Sequence, residues 1–324
     1  MNVSDLGEFG LIQRIARNVS RDPRALAGIG EDCAALPTDD PERCLLFTTD
    51  PVLEGVHFES SALPYQIGWK AMARNLSDIA ACGGKPKWAV VSAGLRADMS
   101  ADFVDELYRG MNAAATQFGA HLVGGDTTKV AGAFFLAVSM IGEVERRHLK
   151  LRSMARPGDS ILVTGTLGGS IAGKHLEFTP RVREARWLVE NFPINAMIDL
   201  SDGLAGDLFH ILEQSSVGAR IVAPRVPISE AARHLECEGD QEHSSFDMAL
   251  YDGEDFELLF TIPAGHVDRL LADWPKQFDV PLRTVGAITA GAGKFILVNP
   301  QGEEEPLAPR GHDHFRKRER GDRR

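Results

Sequence analysis

Apolar residues recur along this chain at the spacing of helices, or in short runs typical of buried strands. The clearest helix is predicted over residues 68–81, where apolar side chains follow at three- and four-residue steps: Trp69, Met72, Leu76 and Ile79. Gly83 and Gly84 follow and are expected to end this helix. The apolar run over residues 44–49 predicts a buried strand with Asp50 at its end. The pattern therefore favours a fold that mixes helices with strands.

The same patterns predict further elements in both halves of the chain. Helices are predicted over residues 8–19, 100–119, 171–178, 181–192 and 264–274, and directly after residue 203. Strands are predicted over residues 88–95, 121–123, 133–144, 160–164, 220–222, 256–262, 284–288 and 295–298. A polar, basic stretch over residues 146–158 contains Pro157 and separates two groups of elements. We therefore predict two α+β domains, residues 1–148 and 149–315, and a basic tail over residues 316–324.

Length and composition narrow the class of protein. A chain of 324 residues exceeds one ordinary hydrophobic core, which agrees with two domains. A net charge of -11 argues against a nucleic-acid partner and suits a site that holds cations. Without a long apolar run or a secretion signal, we expect a cytoplasmic protein with no membrane partner. The four cysteines form no CxxC pair and are expected to be reduced thiols.

Six short segments place carboxylates beside glycines and hydroxyls. They are GIGEDCA (28–34), TTD (48–50), NLSD (75–78), GGDTT (124–128), DLSDG (199–203) and GED (253–255). Magnesium prefers oxygen ligands and is typically held by one or two carboxylates plus the phosphates of a substrate. Any one segment taken alone is better explained as a turn or a helix cap. Taken together, the six segments predict several magnesium ions around one polyphosphate.

Residues 168–175, GGSIAGKH, nearly match a phosphate-binding P-loop. They follow a predicted strand, as that motif requires. However, His175 stands where a serine or threonine hydroxyl should reach magnesium. A glycine-rich turn between a strand and a helix is also a common structural device. We therefore predict a structural turn here.

Eight segments together resemble those of the thiamine-monophosphate kinases. They read GEFGLIQRI, GIGEDCA, TTDPVLEGVHF, NLSDIAACGGKP, GGDTT, RPGDSILVTGTLG, DLSDGLAGDL and GEDFELLF, in the order of that family. The resemblance extends from about residue 8 to residue 315. It implies the PurM-like architecture of the superfamily that includes aminoimidazole ribonucleotide synthetase. That architecture has an N-terminal mixed sheet with helices, which pairs in a homodimer, and a C-terminal α+β domain.

The resemblance also implies the reaction. The γ-phosphoryl group of ATP is transferred to thiamine monophosphate, giving thiamine diphosphate and ADP. The acceptor is a phosphate oxygen, which is largely ionised near neutral pH because the second phosphate pKa is about 6. No residue is therefore expected to act as nucleophile or base. Positioning and positive charge are the remaining requirements for an in-line transfer assisted by magnesium.

The resemblance assigns individual residues to three groups. The magnesium residues are Asp32, Thr48, Thr49, Asp50, Asp78, Asp126, Asp199 and Asp202. The ATP residues are Tyr108, Gly125, Asp126, Arg152 and Ser201. The residues for thiamine monophosphate are His57, Glu254 and Phe315, with His312 as the other candidate for the thiamine ring. Asp50 and Asp126 are expected to share one ion beside the nucleotide phosphates.

Some of these residues have a plainer explanation when taken alone. Arg152 could be a basic residue of a linker, His57 a structural histidine and Glu254 a carboxylate in a surface turn. Glu31 departs from the family, which usually has Asp there, and its extra methylene would move its carboxylate out of reach of the ions. His312 stands where a larger aromatic residue is expected, which leaves Phe315 as the preferred ring contact.

Two alternatives to the kinase remain open. A related enzyme of the superfamily, similar to selenophosphate or aminoimidazole ribonucleotide synthetase, would use ATP to activate a different oxygen. No cysteine precedes Cys33, although selenophosphate synthetases carry a reactive cysteine or selenocysteine near their N-terminus. The other alternative is a sensor that binds nucleotide or thiamine phosphate without catalysis. Retained oxygen ligands at every predicted metal position argue against that sensor.

Overall fold

The computed structural model describes residues 2–20, 22–238, 244–312 and 315, so the predicted basic tail lies outside the described residues. The first half of the chain forms a five-stranded sheet with the order β1-β2-β5-β3-β4. Its elements are α1 (Val3–Ala16), β1 (Ala34–Pro37), β2 (Arg43–Leu53), α2 (Pro64–Ala81), β3 (Lys85–Leu95), α3 (Ala101–Gln117), β4 (His121–Lys129) and β5 (Phe135–Glu145). Neighbouring strands are antiparallel except for β3 and β4. This is the mixed sheet that the resemblance implies.

Helix α2 packs on one face of this sheet, and α3 packs on α2. Twelve of the 18 residues of α2 are buried, so the helix is enclosed on most sides. The two helices approach each other at glycines. A Cβ atom on Gly68 would lie 1.9 Å from the backbone oxygen of Leu107, and one on Gly110 would lie 2.0 Å from that of Tyr65. Only glycine allows such an approach.

The second half forms a seven-stranded sheet with the order β12-β11-β8-β10-β6-β9-β7. Its elements are β6 (Asp159–Thr164), α4 (Lys174–Glu177), α5 (Val182–Asn191), β7 (Met197–Asp199), α6 (Leu204–Ser215), β8 (Gly218–Val222), α7 (Glu230–Cys237), α8 (Ser245–Tyr251), β9 (Leu258–Pro263), α9 (Val267–Asp273), β10 (Leu282–Thr289), β11 (Phe295–Val298) and β12 (Glu304–Pro306). Strands β8 and β11 run parallel and the other pairs run antiparallel. The predicted α+β class is therefore confirmed.

The two halves share a hydrophobic core. Helix α2 contacts α4, α5 and β7 of the second half. Leu76 of α2 belongs to the same buried cluster as Leu188 of α5 and Phe260 of β9. This packing brings the acidic segments of both halves to one region. Among the described residues, no helix has both the length and the apolar character needed to cross a bilayer.

Most predicted elements are present, but two of their ends differ in ways that affect the site. Strand β2 continues to Leu53, so Asp50 lies within the strand and not at its end. Strand β4 continues to Lys129, so the Gly-Gly-Asp segment also lies within a strand. Pairing along β5 and β3 extends both strands beyond their apolar runs. Strands β1 and β12 were not predicted, because they have only four and three residues, too few to show an alternating pattern.

Candidate functional site

Three carboxylates from distant parts of the chain converge at one point. Asp32 precedes β1, Asp78 lies in the last turn of α2, and Asp199 ends β7. Oxygen atoms of the three side chains all lie within 4.8 Å of one another. We call this group the three-carboxylate cluster. An arrangement of several oxygen donors with excess negative charge is what a hard divalent cation requires.

Hydroxyl groups hold two of these carboxylates in place. Ser77 Oγ donates a hydrogen bond of 2.6 Å to Asp199 Oδ2. The hydroxyl of Thr48 donates to the carboxylate of Asp78. Alternation along β2 puts Thr48 and Asp50 on the face that α2 covers. The structure thus places five of the predicted metal residues close to this region: Asp32, Thr48, Asp50, Asp78 and Asp199.

Burial and mutual repulsion raise the pKa values of two carboxylates in this region. Burial raises the pKa of Asp78 well above its ordinary value, and the charges of Asp50, Asp199 and Asp32 raise it further. Burial also raises the pKa of Asp199 to about 7, and the neighbouring Asp32 adds to the effect. The hydrogen bond from Ser77 only partly opposes this shift. A bound cation would favour the ionised form of each group.

Arg152 lies at the edge of the three-carboxylate cluster. Its guanidinium donates to the carboxylate of Asp32 and, over 3.0 Å, to the backbone oxygen of Gly30. The Nε atom of Arg152 is buried without a partner among the described residues. Glu31 accepts the backbone N–H of Arg152 at 2.9 Å, and its carboxylate is not part of the cluster. The longer side chain of Glu31 thus serves the loop and not the cluster.

A second acidic group lies at the start of α6. Ligand atoms of Asp202, Asp207 and His210 lie within 4.8 Å of one another. The carboxylate of Asp207 accepts the backbone N–H of Asp202 at 3.0 Å. Burial raises the pKa of Asp202 to about 7. Asp202 lies in one of the six acidic segments, whereas Asp207 and His210 lie outside them and were not predicted. Their three-residue spacing, which puts both on one face of the helix, is the signal that could have found them.

The hydroxyl of Thr49 points away from this region. It donates to the backbone oxygen of Val138 at 3.1 Å and accepts from Ser139 at 3.0 Å. Since successive side chains in a strand point to opposite faces, Thr49 lies on the face opposite to Thr48 and Asp50. The Thr49 hydroxyl is therefore not available to the three-carboxylate cluster of the same chain.

Asp126 is also separated from Asp50 within one chain. Along one row of the sheet, Asp50 is paired with Val138, Val138 with Val91, and Val91 with Gly125. Asp126 is the next residue of β4 and so points to the opposite face. Three strand spacings, about 14 Å, separate the two strands. Asp50 and Asp126 of one chain thus cannot hold the same ion.

The predicted ATP residues divide in the same way. Tyr108 on α3, Gly125 and Asp126 lie at the side of the molecule where β4 forms the sheet edge. Arg152 and Ser201 lie at the three-carboxylate cluster and the adjoining Asp199-to-Gly203 segment. One chain therefore presents two partial sets of these residues.

The Gly-Glu-Asp segment lies directly on the loop that follows β7. The backbone N–H of Glu254 donates to the oxygen of Ser201 at 2.8 Å, and that of Phe256 donates to Leu200 at 2.7 Å. A Cβ atom on Gly253 would lie 2.4 Å from the Ser201 oxygen, so this contact requires glycine. Two motifs that are 50 residues apart in sequence thus form one surface.

The C-terminal segment reaches the same surface. The backbone N–H of His312 donates to the oxygen of Asp202 at 3.1 Å. Gly311 packs on Gly206 of α6, where a Cβ atom would lie 3.1 Å from the Gly311 Cα. Phe315 is 42% exposed. His312, the other candidate for the thiamine ring, therefore lies beside the Asp199-to-Gly203 segment.

Glu254 is held by two cations that the sequence analysis misses. Lys70 Nζ lies 2.6 Å from its Oε2, and Arg74 Nη1 lies 3.2 Å from its Oε1. Arg74 Nε also donates to Asp50 Oδ2 at 3.0 Å. Although burial raises it, these two cations hold the pKa of Glu254 below its ordinary value. The available signal was two basic residues four positions apart in a helix that is otherwise mostly buried.

The ring orientation of His57 follows from its backbone contact. The backbone N–H of Leu53 donates to His57 Nδ1 at 3.1 Å. A nitrogen that accepts a hydrogen bond carries no proton, so the neutral ring carries its proton on Nε2. His57 can therefore donate one hydrogen bond from Nε2, as contact with a phosphate oxygen requires.

The near-match to a P-loop binds a carboxylate of its own chain. The backbone N–H of Gly168 donates to Asp255 Oδ2 at 2.8 Å, and the hydroxyl of Ser170 donates to the same carboxylate. Lys174 Nζ lies 3.1 Å from Glu257 Oε1. The groups that would hold a phosphate are thus engaged by Asp255 and Glu257, which supports the predicted structural turn.

Comparison with known proteins identifies the class that this fold and site define. The family model for AIR synthase related protein, N-terminal domain, matches residues 30–144. The model for AIR synthase related protein, C-terminal domain, matches residues 122–299. The chain is thus an AIR-synthase-related protein with both characteristic domains.

Relatives within that class are more specific. The chain is 33% identical to thiamine-monophosphate kinase of Aquifex aeolicus, over 97% of this chain and 100% of that relative. It is 36% identical to thiamine-monophosphate kinase of Rhodopirellula baltica, over 86% and 91%. A solved structure of AaThiL complexed with AMPPCP and TMP matches with a TM-score of 0.83 and 31% identity, over 97% of this chain and 99% of that chain. The chain belongs to the thiamine-monophosphate kinase family.

Proposed function

We propose that this protein transfers the γ-phosphoryl group of ATP to thiamine monophosphate and releases thiamine diphosphate and ADP. Membership of the thiamine-monophosphate kinase family is the observation that carries this assignment. The solved relative in complex with AMPPCP and TMP supports both substrates. Convergence of Asp32, Asp78 and Asp199 supports the same chemistry, because phosphoryl transfer between two anions needs concentrated positive charge.

The donor set fits magnesium. All donors of the three-carboxylate cluster are oxygens, and burial and repulsion raise the pKa values of Asp78 and Asp199. We assign magnesium to these residues together with Thr48 and Asp50, and a further ion to Asp202. When bound, the ions would neutralise the charge of the phosphates and of the transferred group. Asp207 and His210 join Asp202 in this proposal.

The remaining residues bind and orient the two substrates. Arg152 lies beside Asp32, where its guanidinium can make paired hydrogen bonds to phosphate oxygens of ATP. His57 offers its Nε2 proton to the phosphate of thiamine monophosphate. Glu254 is an ionised, rigidly held carboxylate that can balance the cationic thiazolium. Phe315, 42% exposed, is the proposed ring contact.

A homodimer is supported by the uncovered face of the N-terminal sheet. Phe47 (45% exposed), Trp88 (47%) and Val90 (43%) lie on this face. Phe47 and Trp88 both pair with Ile141 across adjacent strands, so the apolar surface is continuous. A surface of this kind on a monomer marks an interaction site. We propose that a second copy of the chain covers it.

The homodimer also explains the position of Asp126. Within one chain Asp126 and Asp50 point to opposite faces and lie three strands apart, so an ion held by both requires a second copy. We therefore propose that Tyr108, Gly125 and Asp126 complete the site of the other protomer. Each protomer would then supply one part of each ATP site.

We also propose two domains for this chain and a cytoplasmic location. The change from the first sheet to the second between Glu145 and Asp159 supports domains over residues 1–148 and 149–315. A cytoplasmic location is supported by four unpaired thiols, of which Cys237 is exposed. We therefore propose a cytoplasmic homodimer that works with magnesium.

A direct assay tests the proposed function. The purified protein is incubated with ATP and magnesium and with thiamine monophosphate, thiamine or an aminoimidazole ribonucleotide precursor, and ADP and thiamine diphosphate are measured. We expect turnover with thiamine monophosphate and none with the other acceptors. A folded protein that binds ATP with magnesium but forms no thiamine diphosphate would rule out the kinase and favour a sensor.

A further inference from the structure

Lys70 is a fully buried lysine beside the proposed substrate residues. It lies on α2 with 0% of its surface exposed. Its Nζ donates to the backbone oxygen of His57 at 2.6 Å, contacts His175 Nδ1 at 2.8 Å and lies 2.6 Å from Glu254 Oε2. The ammonium group thus makes two hydrogen bonds and one ion pair within 2.8 Å. Lysine is almost never fully buried unless it is paired in this way.

His175 acts as the acceptor in its contact with Lys70. An ammonium group cannot accept a hydrogen bond, so Nδ1 of His175 must carry the lone pair. Burial and the charge of Lys70 lower the pKa of His175 to about 4, which keeps the ring neutral. His175 is also the residue at which the glycine-rich turn departs from the P-loop motif, since that motif has a serine or threonine hydroxyl there. Its contact with Lys70 gives the departure a structural reason.

The partners of Lys70 come from three separate segments. His57 lies in the loop after β2, His175 is the second residue of α4 after the glycine-rich turn, and Glu254 lies before β9. His57 and Glu254 are the two residues proposed to contact the thiamine monophosphate. The Nζ atom of Lys70 thus contacts both His57 and Glu254, which lie more than 100 residues apart along the chain.

Glu254 carries a further sign of an enforced position. Its backbone φ is +70°, in the left-handed region that non-glycine residues rarely adopt. Such conformations cluster at ligand-binding sites, where the surrounding structure imposes them. Lys70 and Arg74 together hold both oxygens of this carboxylate. Fixing an anion at this position has a purpose if a cationic group must be recognised there.

We propose that Lys70 and His175 form a positioning pair that fixes the His57 loop and Glu254, and thereby sets affinity for the acceptor substrate and not for the nucleotide. This inference rests on the proposed function. It predicts a separation of effects between the two substrates, since the contacts of Lys70 involve neither Arg152 nor Ser201. Ser201 meets Glu254 through backbone atoms, which a change of the Lys70 side chain leaves in place.

Replacement of Lys70 by methionine tests this pair. Lys70→Met keeps most of the buried volume and removes the three polar contacts. We expect KM for thiamine monophosphate to rise about 10- to 100-fold, as loss of a charged hydrogen bond produces. KM for ATP should change less than about twofold. Calorimetric binding of thiamine monophosphate with magnesium and AMPPCP, where no turnover occurs, should show the same loss.

Arg186 supplies the matched control. It is also a buried cation that joins the two halves, through the backbone oxygen of Gly83 (2.7 Å) and Glu145 (3.0 Å). Arg186→Met should lower stability and leave both KM values unchanged. An equal rise of both KM values in Lys70→Met, or the same acceptor-specific rise in Arg186→Met, would overturn the proposal.

Variants of His175 keep the test decisive if Lys70→Met does not fold. His175→Asn places an acceptor near the Nδ1 position and should retain near-normal affinity for thiamine monophosphate. His175→Leu removes the acceptor and should weaken that affinity, and not the affinity for AMPPCP. Equal binding by both variants would contradict the proposal. An inactive wild-type protein that still binds thiamine monophosphate would refute the kinase assignment alone.

Discussion

Two buried acidic regions of this molecule differ in their balance of charge. In the three-carboxylate cluster, Asp32, Asp78 and Asp199 lie together, and Arg152 is paired with one of them. In the other region, Glu257 alone accepts two hydrogen bonds of 2.7 Å from Arg181 and one of 3.1 Å from Lys174. The carboxylate of Glu257 thus has two cations as hydrogen-bond partners, whereas Asp78 and Asp199 accept from the hydroxyls of Thr48 and Ser77.

The pKa values follow this difference. Burial raises the pKa of Asp78, and neighbouring carboxylates raise it further. Burial acts in the same direction on Glu257, but Arg181 and Lys174 bring its pKa below the ordinary value. Carboxylates are therefore buried both in a structural ion-pair network and in a candidate metal site. The balance between carboxylates and cations is what distinguishes them.

The largest expected effect is on activity in the three-carboxylate cluster. Asp199→Asn keeps the shape and the acceptor for Ser77 but removes a charge. We expect kcat to fall at least about a hundredfold, because metal-assisted charge stabilisation contributes several kcal/mol. Asp159→Asn, at a buried carboxylate that accepts from Asn195, is the control and should keep kcat within about threefold of the wild type. Full activity in Asp199→Asn would show that Asp199 has a structural role and does not hold a catalytic metal ion.

The second prediction asks whether Asp126 belongs to the acid-rich region of another protomer. Asp50→Asn and Asp126→Asn should each be nearly inactive alone. If the two residues act across the dimer, subunit exchange yields heterodimers with one intact site. Mixing equal amounts should then restore about a quarter of wild-type activity. Mixtures as inactive as the single variants would show that both residues act within one chain.

The third prediction concerns Glu257, the carboxylate that is paired with two cations. Glu257→Gln leaves Arg181 and Lys174 without their buried anion, and breaking such a pair costs about 3 kcal/mol of unfolding free energy. Urea unfolding would measure this loss, and kcat per folded molecule should be unchanged. Asp273→Asn, in an exposed pair with Lys276, should leave stability nearly unaffected. A catalytic defect in folded Glu257→Gln would contradict a purely structural role.

The smallest expected effect has the opposite sign. In chelator at pH 8, Asp78→Asn should raise unfolding free energy by about 1 kcal/mol, because it removes a repelled, buried charge. Since the folded pKa of Asp78 lies above its ordinary value of 3.8, ionisation opposes folding as the pH rises beyond that value. The stabilisation should therefore shrink in acid. A loss of stability at pH 8 would show that burial and the neighbouring carboxylates do not oppose the ionisation of Asp78.

Much of the site is predictable from local sequence because the metal carboxylates lie in short motifs. Periodicity predicts α2 and therefore the position of Asp78 in its last turn. Lys70 and Arg74 are not predictable in this way, since Arg74 and Glu254 meet across 180 positions of sequence. Sheet pairing likewise decides that Thr49 and Asp126 point away from Asp50, because the lengths of β2 and β4 depend on strands elsewhere.

Similar motifs can also have opposite roles. Glu254, Asp255 and Glu257 stand within four residues of one another, yet Glu254 faces the proposed substrate site and the other two bind the glycine-rich turn and Arg181. Left-handed backbone at Glu254 and Phe256 separates these side chains. No local pattern of apolar and polar residues contains that information.

Anomalous diffraction from crystals grown with manganese and AMPPCP would test the central claim most directly. Manganese takes the oxygen ligands that magnesium prefers. We predict anomalous peaks within about 2.2 Å of oxygen atoms from Asp32, Asp78 and Asp199, and none beside Glu257. Nucleotide bound with no peak at the three-carboxylate cluster would contradict the account.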